Sequence, residues 1–405
     1  MAIYPMKTIA YCSPFVPPEW IAAHGMRPSW LRLRRVDSPQ TAGLQRGVCP
    51  FASAVVEAVL AETEASAVVL TTTCDQMRHA ATLLRRVPRV PSGCGRVPSG
   101  CGSLPVFLMN VPSTWQTAAA RQIYLDELVR LGRFLVRLGG KEPSGDELAG
   151  VMLASDRARC EVRAARTRLS ARGFAQAVAD LRRGGRRVAG IPGLGAGDSG
   201  LGKSECRMQN AEFPNLKSEI RNPKSEIPSP QPPVPGPWSA VPGPWPLAPR
   251  PWPPPPTDSV PLALVGGPLP EEDFEILDLI EQAGGRVVLD ATEGGERTLP
   301  PPFDADRTRA DPLGELADAY FLRIPGVFRR PNDPLYEWLR RELAAREVRG
   351  ILFRRYLWCD LWHAELYRLR QCTRLPVLEL EVVCDDSSSQ SRTLSRLEAF
   401  LEMLT

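Results

Sequence analysis

Histidine is nearly missing from this chain: three residues in 405. No Ser–His–Asp arrangement can be drawn with so few, which removes the commonest hydrolytic machinery. Long apolar runs are absent too. None approaches the length of a membrane span, so no membrane partner is expected. The opening Met1-Ala-Ile-Tyr-Pro-Met-Lys7 has no apolar core of the signal-peptide kind, and the expected location is cytoplasmic. Net charge is small, +4, with the arginine excess spread over helices rather than gathered in a tract. That gives no footprint for nucleic acid.

What is present is ordinary in bulk and unusual in detail. An apolar fraction of 43% and a charged fraction of 24% describe a soluble globular protein. A length of 405 residues suggests two domains with an extra segment. The ten cysteines and 42 prolines are the unusual part. In a cytoplasmic chain, thiols are reduced, metal-bound or inert rather than paired as disulfides.

Apolar runs alternate with amphipathic stretches. Lys7–Cys12, Ser66–Leu70, Leu104–Asn110, Val260–Val265, Gly285–Asp290, Ala319–Ile324, Val348–Phe353 and Pro376–Val382 read as strands. Helices are expected at Pro17–Gly25, after Cys49, at Asp75–Leu84, Thr117–Leu138, Leu148–Leu181, Glu271–Ala283, Leu335–Arg346, Asp360–Tyr367 and Ser391–Leu404. Strand–helix alternation of this kind predicts an α/β fold of two Rossmann-like parallel-sheet domains. The boundaries are 1–183 for an N-terminal α/β domain and 258–405 for a C-terminal one.

Between them, 184–257 breaks the pattern. Residues Pro228–Pro256 hold 15 prolines in 29 positions, which excludes helix and sheet core and predicts a disordered or polyproline II insert. Seven-residue repeats mark it: Lys217-Ser-Glu-Ile220 recurs as Lys224-Ser-Glu-Ile227, and Val234-Pro-Gly-Pro-Trp238 as Val241-Pro-Gly-Pro-Trp245. A third repeat, Arg89–Gly95 and Arg96–Gly102, carries Cys94 and Cys101 as passengers. These read as tandem expansions in loops of an older fold. Gly197-Asp-Ser-Gly-Leu-Gly-Lys-Ser204 matches the phosphate-loop pattern, yet the strand before it is short and the stretch after it is polar. A nucleotide binder through Gly197–Ser204 is therefore the least favoured function.

Three cysteines share a setting. Cys49 precedes an apolar helix, Cys74 follows the Ser66 strand at the mouth of the next helix, and Cys359 follows the Val348 strand at the start of another. A helix N-terminus favours thiolate, the form that binds metal or attacks an electrophile. Ligands of open α/β sheets also gather at strand ends. Either the three meet at one crevice, or each is a small buried apolar residue. Asp75 and Asp360 are expected to cap the helices that follow. His79 and His363, one turn past Cys74 and Cys359, are ligand or proton-donor candidates against a plain surface role. Cys160 and Cys206 have no partner spacing, and Cys372 and Cys384 flank a strand.

The contexts Cys49-Pro-Phe, Thr72-Thr-Cys-Asp-Gln-Met-Arg78 and Trp358-Cys-Asp360 resemble the 2-hydroxyacyl-CoA dehydratase D-component family, which includes benzoyl-CoA reductase subunits. Tyr11–Pro28 is similar to the family's opening, and Leu378–Glu381 with Arg392–Glu402 to its closing helix. The resemblance implies a [4Fe–4S] cluster held between the domains by Cys49, Cys74 and Cys359, with one iron left open. It implies a heterodimer with a paralogous subunit. A separate ATP-dependent activator would supply one low-potential electron, making a ketyl radical from a 2-hydroxyacyl-CoA so that water can leave. Three departures stand out: the insert, the lack of a cysteine in Ile324–Phe328, and Pro18-Glu-Trp in place of an acidic pair. They leave room for an alternative, a non-catalytic iron–sulfur electron-transfer or scaffold subunit of the same family.

Overall fold

The apolar runs build two parallel sheets of four strands each, flanked by helices. They are seen in a computed structural model that describes residues 6–33, 48–62, 64–86, 104–184, 259–382 and 389–405. The phosphate-loop match, the proline-rich insert, the repeats and Cys94, Cys101, Cys206 and Cys384 lie outside those residues.

The first half runs β1 (Thr8–Tyr11), α1 (Pro18–Ala23), β2 (Arg27–Trp30), α2 (Pro50–Ala61), β3 (Ala65–Thr71), α3 (Asp75–Arg86), β4 (Val106–Met109), α4 (Ala118–Arg137), α5 (Gly145–Ala165) and α6 (Ala171–Arg182). Its sheet order is β2-β1-β3-β4. The second half runs β5 (Val260–Gly266), α7 (Glu275–Gln282), β6 (Gly285–Ala291), α8 (Ala305–Ala310), α9 (Pro312–Ala317), α10 (Asp333–Ala345), β7 (Gly350–Tyr356), α11 (Asp360–Thr373), β8 (Val377–Val382) and α12 (Ser389–Leu404). Its order is β6-β5-β7-β8. In each sheet the first strand lies inside, so the chain reverses direction of growth beside it. That is the switch point where open α/β folds place ligands.

One expected strand is not a strand. Ala319–Ile324 falls in a π-helical turn, Asp318–Leu322, continuing α9. Ala317, Ala319, Tyr320 and Phe321 are all buried, and a segment enclosed on every side shows no period to tell helix from strand. The expected helix Leu148–Leu181 is two, α5 and α6, with Ser170 capping the second through its bond from the Gly173 N–H (3.1 Å).

Polar locks tie the halves together. Glu19 of α1 is buried, pairs with Arg159 of α5, and accepts a 2.7 Å hydrogen bond from the Tyr320 hydroxyl. Burial first, and then Glu19, pushes the Tyr320 pKa well up, so the phenol stays a donor. Arg163 donates to the Pro300 carbonyl at 2.6 Å. Glu296 sits between Arg166 (3.0 Å) and Arg346 (2.9 Å).

Burial opposes the Glu296 charge, but Arg346 and Arg166 more than offset it and hold the carboxyl at about 2. A pKa below the unfolded value means stability that is full above the ordinary carboxylate range and is lost as pH falls toward about 2. The size at neutral pH is on the order of 3 kcal/mol. Urea midpoints of wild type and Glu296→Gln, followed from neutral to acid pH, should converge over that window. A gap that stays constant down to the acid end would show the two arginines do not hold the charge.

Candidate functional site

The alternation of side chains along a strand decides which residues share a face. In β1, Ile9 and Tyr11 join a core with α1 and α4, whereas Ala10 and the following Cys12 join the core that holds α2 and α3. In β3, Val68 and Leu70 point the same way as Ala10 and Cys12. Parallel pairing of Tyr11 with Val69 brings the ends of β1 and β3 side by side. The loop after β3 carries Cys74, and Thr72 fixes it by donating to Asn110 Oδ1 at 3.1 Å and accepting the Val111 N–H at 3.0 Å.

Cys49 precedes α2, with Pro50 at the first helical position, where a missing N–H costs nothing. Its own backbone N–H donates to Gln76 Oε1 at 3.1 Å, which ties the Cys49 turn to the start of α3. Cys359 stands before α11, delivered by β7 through Trp358, an exposed residue in left-handed backbone conformation (φ 64°). Cys12, Cys49 and Tyr356 belong to one buried apolar cluster, and Cys74, Cys359 and Phe51 pack partly buried against it. Cys74 is near enough to act on Cys12 and Cys359, and Cys49 on Cys74 and Cys359. The structure thus brings the three sequence-predicted cysteines together and adds a fourth. None of these four, nor Cys160 or Cys372, is in a disulfide.

Two expectations are corrected here. Asp75 and Asp360 do not cap: each is the first helical residue, and it is cysteine that stands at the preceding position. Nor are the thiols poised as thiolates. Burial pushes Cys74 up to about 11 and Cys359 up to about 12, only partly relieved by the backbone N–H groups of Met77 and Gln76 at Cys74 and of Trp362 at Cys359. Burial outweighs the helix end. Without a cation these sulfurs hold their protons at neutral pH, and a metal must displace them.

Sequence reasoning missed Glu293. It lies in the loop after β6, accepts the indole N–H of Trp362 at 3.2 Å, and its charge raises the pKa of Cys12, Cys74 and Cys359. No motif marks it. Only its place at a strand end would have drawn attention. The backbone holds it as well: the Glu293 N–H donates to the Gly267 carbonyl at 3.2 Å. His79 and His363 are exposed on their helices, in line with the plain surface role, and His24 is buried with Nδ1 at 2.7 Å from the Trp20 carbonyl. Cys160 and Cys372 lie on α5 and α11, away from the thiol cluster.

Among the described residues no three Cys, His, Asp or Glu side chains come close enough to hold one metal ion. Two thiolates on a single zinc can be no more than ~4.6 Å apart, since each bond is about 2.3 Å. A four-iron cube gives each thiolate a different iron and takes a wider set. An all-sulfur donor set against an apolar cluster suits that kind of group and not a hard cation. A cleft of about 60 Å³ lies on the other face of β1, lined by Tyr11, Glu19, Trp30, Arg159, Arg182 and Tyr320. It contains no cysteine and is far too small for a coenzyme thioester.

Two parallel α/β sheets whose strand ends bring thiols together define a sulfur-lined α/β protein. Residues 13–173 and 250–404 match the family model described as 2-hydroxyglutaryl-CoA dehydratase, D-component, and the chain belongs to that family. The unmatched stretch between them falls largely within the proline-rich region. A comparison with curated proteins gives no match. No helix among the described residues is long and apolar enough to cross a membrane.

Proposed function

We propose that this chain is the cluster-holding subunit of a 2-hydroxyacyl-CoA dehydratase-type lyase, with Cys49, Cys74 and Cys359 as ligands of a [4Fe–4S] cluster. The observation that carries it is that these three cysteines, distant in sequence, meet at one apolar cluster, Cys49 within it and Cys74 and Cys359 against it, in a chain of this family. When bound, the cluster would take up one low-potential electron from an ATP-dependent activator and supply it for the dehydration of a 2-hydroxyacyl-CoA thioester. Everything else falls to the chain. Each thiol gives its proton to solvent as iron binds. Gln76 keeps the Cys49 turn against the start of α3, so two ligands move as one. The backbone N–H groups of Met77 and Trp362 lie where negative sulfur is favoured. Phe51 and Tyr356, with ring centroids 6.0 Å apart, give the same cluster an apolar lining. A paralogous subunit completes the enzyme in this reading.

Iron and acid-labile sulfide are to be measured on protein purified and reconstituted without oxygen. About four of each per chain are expected. Cys49→Ser, Cys74→Ser and Cys359→Ser should each lose most of the cluster, while Cys160→Ser on α5 keeps it. A wild-type chain that stays iron-free, or triad variants that load as well as Cys160→Ser, would sink the reading.

A further inference from the structure

The apolar cluster that takes in Cys49, Cys74 and Cys359 holds a fourth cysteine, Cys12. Cys12 follows the last residue of β1, the strand paired directly with β3, which delivers Cys74. Strand alternation turns Cys12 onto the same face as Ala10, toward α2 and α3, into the apolar cluster that holds Cys49 and has Cys74 and Cys359 packed against it, with Cys74 close enough to act on it. It is buried, with 6% of its surface exposed. Ser13 and Pro14 follow at once, and the Val16 N–H donates to the Ser13 carbonyl at 3.2 Å, so the turn holds Cys12 at the strand end.

We propose that Cys12 is a fourth thiol ligand, occupying the iron that Cys49, Cys74 and Cys359 leave open. This rests on the cluster reading above. The step involves no redox change: the Cys12 sulfur loses its proton to water, forms an iron–sulfur bond, and displaces the water or hydroxide otherwise bound there. A site with every position filled by protein is closed, as structural and electron-transfer sites are, whereas catalytic sites keep one position open. In this chain the cluster would then relay electrons, and dehydration would fall to the partner subunit. Glu293 faces the same thiols and is the rival for the fourth position, but its carboxylate is the harder donor and already accepts the Trp362 indole N–H.

The test uses the full chain, reconstituted without oxygen, as wild type, Cys12→Ala and Glu293→Gln. Iron analysis comes first. A wild type without cluster defeats the underlying reading, and with it this proposal. With cluster present, ferricyanide removes one electron from the core. An open-site cluster then releases one ferrous ion and leaves [3Fe–4S], seen by its EPR signal. Wild type and Glu293→Gln should resist, and Cys12→Ala should convert at least about tenfold faster. Wild type converting as fast as Cys12→Ala, or Glu293→Gln converting instead, overturns the assignment. Should Cys12→Ala not fold, the Mössbauer spectrum of isotopically enriched wild type decides: four irons with sulfur-type isomer shifts support Cys12, and one with an oxygen-type shift refutes it.

Discussion

Glu19→Ala is expected to cost about 3–5 kcal/mol of stability, the range for removing one partner of a buried ion pair. Glu19 and Arg159 are both almost wholly shielded from solvent. The pair alone is weak evidence for stability, since desolvation offsets much of its Coulomb attraction. What makes its disruption costly is what stays behind. Arg159 keeps only Asp156, at 2.6 Å, and the Tyr320 hydroxyl loses its acceptor inside the core. A cycle separates the parts: Tyr320→Phe alone should cost about 1 kcal/mol, and nothing further once Glu19 is gone. Chemical denaturation reads both. A Glu19→Ala variant within 1 kcal/mol of wild type would mean that water replaces the carboxylate, and the lock between α1, α5 and the turn after α9 would be illusory.

Gly266→Ala should be as damaging, for a backbone reason. Gly266 ends β5 with φ 154°, and a Cβ placed there would lie 1.8 Å from the Arg354 carbonyl oxygen. Backbone cannot yield as a side-chain tip can. The conformational strain costs 1–3 kcal/mol, and forced separation of β5 from β7 adds to it, for about 3 kcal/mol or more. The thermal midpoint should drop by about 4 °C or more. Gly284→Ala is the control, since it too has positive φ (93°) but open space around its Cβ position. It should cost only the strain. Equal losses in the two would remove the clash from the account. The effect also reaches the thiols, because Gly267, next in the chain, accepts the hydrogen bond that fixes Glu293.

Much of this was legible in the sequence, for identifiable reasons. Ser66–Leu70 lies wholly within β3, and Val348–Phe353 overlaps β7 from Gly350 on, because parallel strands covered on both faces read as near-continuous apolar runs. β2 was not legible: Arg27-Pro-Ser-Trp30 is a four-residue edge strand that pairs only with β1, and an edge tolerates proline and carries no apolar run. The π-helical turn was misread because complete burial erases periodicity. The three cysteines could be singled out by shared context, a strand end or a helix start. Cys12 has the strand end but no helix directly after it, and only the register of β1 against β3 shows which face it joins. The protonation state of the thiols was misjudged for a similar reason. A helix end is visible in sequence, whereas the burial that opposes it belongs to the packed molecule.

The docking of α6 bears on how this chain accommodates its proline-rich connection. Before the connection starts, α6 is already held to the second half: Arg182 donates to Thr298 Oγ1 at 2.5 Å and to the Glu293 carbonyl at 3.0 Å. Its guanidinium also stacks over Trp30, 4.6 Å from the ring centre. The helix that leads into residues 185–258 is therefore anchored by contacts of its own. The entropy of closing a chain segment between two ends grows only with the logarithm of its length, about 0.6 kcal/mol per doubling. Tandem duplication of seven-residue units there is close to thermodynamically silent. The same duplication inside β5 or β7 would shift strand register and turn core side chains outward.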